Sequence, residues 1–250
     1  MNATELTALL LLFFATSIVG VVTGSNSLVT VPVMFQFGID PKVAVATNMF
    51  GLTFMSIGAT LPFLRSGTID RGRVTPLVAL TLFGSALGAW LVVLISPVSL
   101  KLVVSIAMIA VTVFTLVHRK AGIERSEISG SARLVVYVLT FALAVYGGLY
   151  SGGYVTMLTA VYVAFFGMTF SESVAATKLV NVFSSAIATV IFMWQGLVDY
   201  RLGLMLAVTM FIGAYIGAHT VTKLSDVWLK RVFVIVVLAL AVKTILDFRF

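Results

Sequence analysis

The chain has 250 residues, 60% of them hydrophobic and 10% charged, against roughly 25% charged residues in a soluble globular domain, so it lacks the polar groups to coat a water-facing surface. Its formal net charge of +7 comes from basic residues in short turns between apolar stretches, not from a stripe or tail, which argues against nucleic acid and for orientation in a membrane. With no cysteine, a disulfide framework, a cysteine-ligated metal and thiol catalysis are all excluded.

The first apolar run begins with Glu5 in place of a basic region and has no small-residue cleavage site, so a retained first helix is expected. Uncharged stretches such as Val74 to Ser96, and Ser131 to Gly153 with only Arg133 near one end, match the roughly 20 residues a helix needs to cross a hydrocarbon core. Lipid-facing backbone must satisfy its own hydrogen bonds, so the expected fold is all-α, a polytopic transmembrane helical bundle. The periodicity places five helical segments in each half. They lie near 5–22, 26–37, 42–64, 73–95 and 98–117, then 132–150, 153–166, 172–194, 201–223 and 226–247.

The halves are alike at a shift of 129 residues. Gly24 meets Gly153, Gly38 meets Gly167, Ala59 and Thr60 meet Ala188 and Thr189, and Gly67 and Asp70 meet Gly196 and Asp199. Further on, Gly84, Gly88 and Ala89 meet Gly213, Gly217 and Ala218, and Ser96, Leu100 and Lys101 meet Ser225, Leu229 and Lys230. The chain therefore divides into a first transmembrane repeat, 1–117, a cytoplasmic linker, 118–131, and a second repeat, 132–250. The second segment of each half is short for a crossing and reads as broken or re-entrant. Either way the crossings per half are odd, so the repeats are expected to lie inverted. Charge agrees: Arg65, Arg71 and Arg73 share a side with Arg119, Lys120, Arg125 and Arg133, whereas the turn equivalent to the first carries Arg201 alone. Lys223, Lys230 and Arg231 outnumber Lys101 at the matching turn, which puts both termini outside.

Polarity enters the apolar runs at few places. Lys178 lies well inside one, and a cation there costs at least about 2.5 kcal/mol, so it should not face lipid. It shares a helical face with Asn181 and Ser185, flanked by Thr177 and Ser184; the first half has Thr47 and Asn48 in its corresponding stripe. Two readings are open for Lys178. Its stem could snorkel back towards the interface near Glu172, or its ammonium could face a small anion, with Thr177, Asn181, Thr47 and Asn48 donating neutral hydrogen bonds. Gly24-Ser25-Asn26-Ser27 and Ser151-Gly152-Gly153-Tyr154 each precede a short helix, either as tight-packing turns or as helix N-termini that collect an anion. The Gly84, Ser85, Gly88, Ala89 series and its counterpart at Gly213 to Ala218 read as helix packing. His219 reads as a packing residue or a proton-sensitive group, and Trp194 and Trp228 as interfacial anchors.

Over nearly its whole length the chain resembles the TauE/SafE sulfite exporter family. The likeness lies in a glycine-bearing turn leading to Val31-Pro32, then Gly38-Ile39-Asp40-Pro41 with Ala44-Val45-Ala46-Thr47-Asn48, and Arg65-Ser66-Gly67-Thr68-Ile69-Asp70. In the second half it lies in Gly147-Gly148 to Gly152-Gly153, Gly167, Val174-Ala175-Ala176-Thr177-Lys178 and Gly196-Leu197-Val198-Asp199-Tyr200. The first glycine turn is poorer in glycine than the family's usual run, and a lysine stands where a small polar residue is expected. The resemblance implies secondary transport, often export, of sulfite, a sulfonate, thiosulfate or a related anion by a multi-pass protein of the plasma membrane, the inner membrane of a bacterium. The expected substrate site comprises Lys178, Thr177, Asn181, Ser185, Thr47, Asn48, Ser25, Asn26, Ser27, Gly152, Gly153 and Tyr154. No cofactor, metal or nucleic acid is expected; the partners are the anion and the bilayer, and homo-oligomerisation stays open. The alternatives are an anion channel, a carrier for another small anion or carboxylate, and a membrane enzyme. The last lacks converging acids, bases and metal ligands, having two histidines and no cysteine.

Overall fold

The computed structural model describes residues 3–24, 26–100 and 130–225, with isolated positions at 102, 103, 106, 227, 228, 231 and 235. The expected segments 98–117 and 226–247 and the linker therefore lie almost wholly outside the described residues, as does Ser25. Eight helices are described: α1 (Ala3–Thr23), α2 (Asn26–Gln36), α3 (Pro41–Arg65), α4 (Arg71–Leu94), α5 (Gly130–Leu149), α6 (Tyr154–Phe165), α7 (Phe170–Trp194) and α8 (Tyr200–Val221). Six of them, all but α2 and α6, are long and apolar enough to cross a membrane.

Local chemistry sets the boundaries. Asp40 caps α3 by accepting from the N–H groups of Lys42 and Val43, with Pro41 at the first helical position. Asp70 and Asp199 cap α4 and α8 in the same way, and Thr169 forms a capping box with Glu172 at the start of α7. Left-handed glycines follow α1, α2, α3, α6 and α7: after α3 the N–H of Thr68 reaches back to the Phe63 carbonyl, and after α7 that of Leu197 to Phe192. Among the described residues the positive-φ positions are Gly24, Gly38, Gly67, Gly153, Gly167 and Gly196, three pairs each 129 apart.

Contacts fix the relative directions. Gly51 of α3 abuts Leu206 and Met210 of α8, and Gly58 abuts Phe211, so these two helices run the same way; Gly213 and Gly217 of α8 meet Phe14 and Ile18 of α1, which does likewise. Gly84 of α4 meets Phe141 and Ala144 of α5, and Gly88 meets Val145 and Leu149. Ser85 of α4 bonds Ser184 of α7 while Trp90 packs edge-on against Trp194. Thus α4, α5 and α7 run together, opposite to α1, α3 and α8. The contact between α4 and α5 is close enough that a Cβ on Gly88 would stand 1.9 Å from the Val145 carbonyl oxygen.

The central pair is α3 and α7, whose apolar windows are 78% and 67% buried against 28–44% in the other four long helices. At 11 and 12 residues, α2 and α6 rise only about 16–18 Å, short of a crossing. Each folds back on the helix before it: α1 with α2, and α5 with α6. The tips of these two hairpins touch, where the Thr156 hydroxyl donates to the Thr23 carbonyl at 2.5 Å and Ser27 and Ser151 share a hydrogen bond of 2.7 Å. At its far end α6 is tied to α4 by Arg73, which donates to the Phe166 carbonyl and lies 5.9 Å over that ring.

Candidate functional site

The touching hairpin tips and the facing sides of α3 and α7 surround a small cavity with a mixed polar and apolar lining. The first half contributes Gly20, Gly24, Asn26 and Ser27 from the α1–α2 hairpin, and Leu52, Met55, Ser56 and Ala59 from α3; the second half contributes Ser151, Val155, Lys178 and Asn181. Its free volume of about 10 Å³ is on the scale of one water molecule, too small as it stands for a molecule of several heavy atoms.

Lys178 is only 3% exposed, and among the described residues it is the only charged side chain that is buried. Its stem does not run back to the start of α7. The ammonium instead crosses to α1 and donates to the Gly20 carbonyl at 2.9 Å, in the last turn before the chain breaks at Gly24. No carboxylate among the described residues pairs with it: Glu172 closes its own capping box, and the ion pair present is Arg73 with Asp70. A buried lysine amine whose partner is a single backbone carbonyl keeps donor capacity in reserve.

The neutral groups form two chains of hydrogen bonds around it. On one side Thr30 donates to Asn48 Oδ1 at 2.9 Å, Asn48 Nδ2 donates to Ser27 at 2.8 Å, Ser27 meets Ser151, and the Tyr150 hydroxyl donates to the Ser27 carbonyl at 2.8 Å. On the other, Asn181 Nδ2 donates to Ser56 at 2.7 Å, and Ser185 donates to the Asn181 carbonyl at 2.6 Å. Asn26 Nδ2 donates to Ser17 at 3.2 Å and contacts Met55 Sδ at 3.0 Å. The amide oxygens of Asn26 and Asn181 are buried without a hydrogen-bond partner, which is costly unless something else is bound there.

Of the residues expected from the sequence, the structure brings Lys178, Asn181, Asn26 and Ser27 together on the cavity wall. Asn48 stands one hydrogen bond behind Ser27, and Ser185 one behind Asn181. Thr177 donates to the Val174 carbonyl at 2.9 Å and lies 3.4 Å from Thr159, the same pair of positions that Asn48 and Thr30 occupy 129 residues earlier. Thr47 accepts from the backbone N–H of Asp199 at 3.0 Å, pinning α3 to the cap of α8. The Gly152 carbonyl takes the Tyr146 hydroxyl, Gly153 caps α6 in a left-handed conformation without a side-chain cap, and the Tyr154 ring packs on Gly147. Ser25 lies outside the described residues.

Ser151, which the sequence placed only in the turn before the second short helix, also lines the cavity, and sequence reasoning missed Ser56 and Gly20. Ser56 was within reach, being the position 129 before Ser185. His219 is exposed in the last turn of α8, stacked on Tyr215 and apart from the cavity. Among the described residues no cluster of histidine and acidic side chains could hold a metal ion.

A bundle of apolar, membrane-length helices around a small cavity with a buried lysine fits the class of membrane transporters. The chain belongs to the family described as Sulfite exporter TauE/SafE, whose model matches residues 8–244. It is 28% identical to a probable membrane transporter protein ORF9 of Sinorhizobium sp over 94% of this chain and 92% of that protein. It is 27% identical to the probable membrane transporter protein YfcA of Escherichia coli strain K12, over 94% and 89% of the two chains. With the probable membrane transporter protein YdhB of Bacillus subtilis strain 168 it shares 26% identity over 89% and 92%. No solved structure matches the chain. Family and relatives are membrane transporters, in keeping with a non-enzymatic, multi-pass membrane protein.

Proposed function

We propose that this protein is a secondary transporter, acting as an exporter, of a small sulfur-containing oxyanion bound between two inverted half-molecules. The observation that carries the reading is the Lys178 ammonium, buried in the central cavity with a backbone carbonyl for a partner and no carboxylate. Burying such a charge is unfavourable unless it is compensated, and a transported anion is the compensation that fits the family. Inversion is supported by the helix directions: α1, α3 and α4 each run opposite to α5, α7 and α8, their counterparts in the second half. An anion would enter when the halves part, exchange the Gly20 carbonyl for its own oxygens on the ammonium, and collect hydrogen bonds from Ser27, Ser56, Ser151 and the two asparagine amides. The first turns of α2 and α6 add the positive ends of two helices.

A cavity of this size favours a carrier over an open channel. In proteoliposomes, efflux of labelled sulfite is expected to saturate and to be accelerated by unlabelled sulfite on the opposite side. Lys178→Ala should reduce that flux by at least about tenfold, the equivalent of about 1.4 kcal/mol, with the melting profile of the purified protein retained. Unchanged flux in the folded variant would remove Lys178 from the site. Flux that never saturates would favour a channel.

A further inference from the structure

The charge count inside the cavity bears on which anions it accepts. The polar lining other than Lys178, namely Asn26, Ser27, Ser56, Ser151 and Asn181, is neutral. The helices packed on α7 bring no second charge. Glu5, Lys42, Arg65, Arg71, Arg73 and Arg133 all lie in the first or last turn of α1, α3, α4 or α5, and α6 has no charged residue. The carboxylates Asp40, Asp70, Asp199 and Glu172 are engaged as helix caps.

Resting on the anion-transport reading above, we infer that the site selects singly charged oxyanions, such as hydrogen sulfite and alkanesulfonates, over dianions such as sulfite, sulfate and thiosulfate. One ammonium and one negative charge make the closed site neutral. A dianion leaves a net negative charge in a low-dielectric cavity, and the charged residues at the helix ends are too far away and too well solvated to offset it.

The unpartnered amide oxygens show how the neutral wall serves the anion without adding charge. Asn26 and Asn181 direct their amide nitrogens at the hydroxyls of Ser17 and Ser56, leaving both Oδ1 atoms without hydrogen bonds. A hydroxyl can donate as well as accept. A half-turn of either amide therefore keeps its serine bond with donor and acceptor exchanged, fills the orphaned oxygen, and frees an N–H on a residue of the cavity wall. For Asn26 the contact with Met55 Sδ is given up.

The test is calorimetric titration of the full-length protein in nanodiscs with methanesulfonate and with sulfate, two tetrahedral anions that differ by one charge, at equal ionic strength. Methanesulfonate is expected to bind at least about tenfold more tightly, and perchlorate, with four oxygens and one charge, to rank with it. Lys178→Arg, which keeps the charge, is expected to keep the order; a folded Lys178→Arg protein that prefers sulfate contradicts a rule set by charge. Equal affinities in the wild-type protein, or tighter sulfate, overturn the inference and leave anion transport standing. Binding of none of these anions while sulfite binds overturns the inference alone; binding of none of them and no sulfite overturns both.

Discussion

Lys178 has no twin. The position 129 residues before it holds Met49, buried like Lys178 itself, and the position matching Asn181 is Leu52. The left-handed glycines recur at this shift, while the polar lining of the cavity is concentrated in α7 and faced by the serines of α2 and α3. Because Asn181 replaces a leucine of the other copy, Asn181→Leu is an isolated probe: it removes one bond of 2.7 Å to Ser56 and should leave α7 intact. Losing one neutral hydrogen bond at the site should weaken sulfite binding by roughly tenfold, read by calorimetry; an unaltered affinity would place Asn181 outside the site. Of the cavity lining, Lys178 and Asn181 were legible because a polar residue in an apolar run needs a reason to be there, and Asn26 and Ser27 because they follow a glycine turn at the start of a short helix. Thr47 shows the limit: its hydroxyl belongs to the cap of α8, a partner 152 residues away that no local periodicity reveals.

At the scale of elements the sequence was most readable at the helix ends, because Asp caps, proline at a first turn and left-handed glycines act locally. All eight described helices end within two residues of the expected positions. The second segments were also legible as short for a crossing, broken or re-entrant, but not the meeting of their hairpins, which depends on contacts distant in the chain. Gly24 sits at that meeting: its φ is +67°, and an added Cβ would stand 2.7 Å from the Val155 side chain and 2.8 Å from the Thr156 nitrogen. Gly67 has a similar φ of +70° with nothing within 4 Å. Gly67→Ala should therefore cost about 1–2 kcal/mol of backbone strain and keep transport. Gly24→Ala should add a collision that pushes the tips apart, lowering the thermal midpoint further and abolishing sulfite efflux. Equal effects of the two substitutions would show that the tips do not need to touch.

For the whole molecule, the directions of the helices sort the charged residues by end. One end of the bundle carries Arg65, Arg71, Arg73, Arg133 and Lys223 around the described helices, and the other Lys42 and Arg201. The basic end is expected to face the cytoplasm. Ser66 follows α3 and Gln195 follows α7 at positions 129 apart, so two equivalent turns should emerge on opposite sides of the membrane, and the chain's lack of cysteine gives an unlabelled background. The direct test is labelling of Ser66→Cys and Gln195→Cys in intact cells with a membrane-impermeant maleimide. Gln195→Cys should react at once and Ser66→Cys only after permeabilisation. Reaction of both from the same side would contradict two opposed halves enclosing an anion.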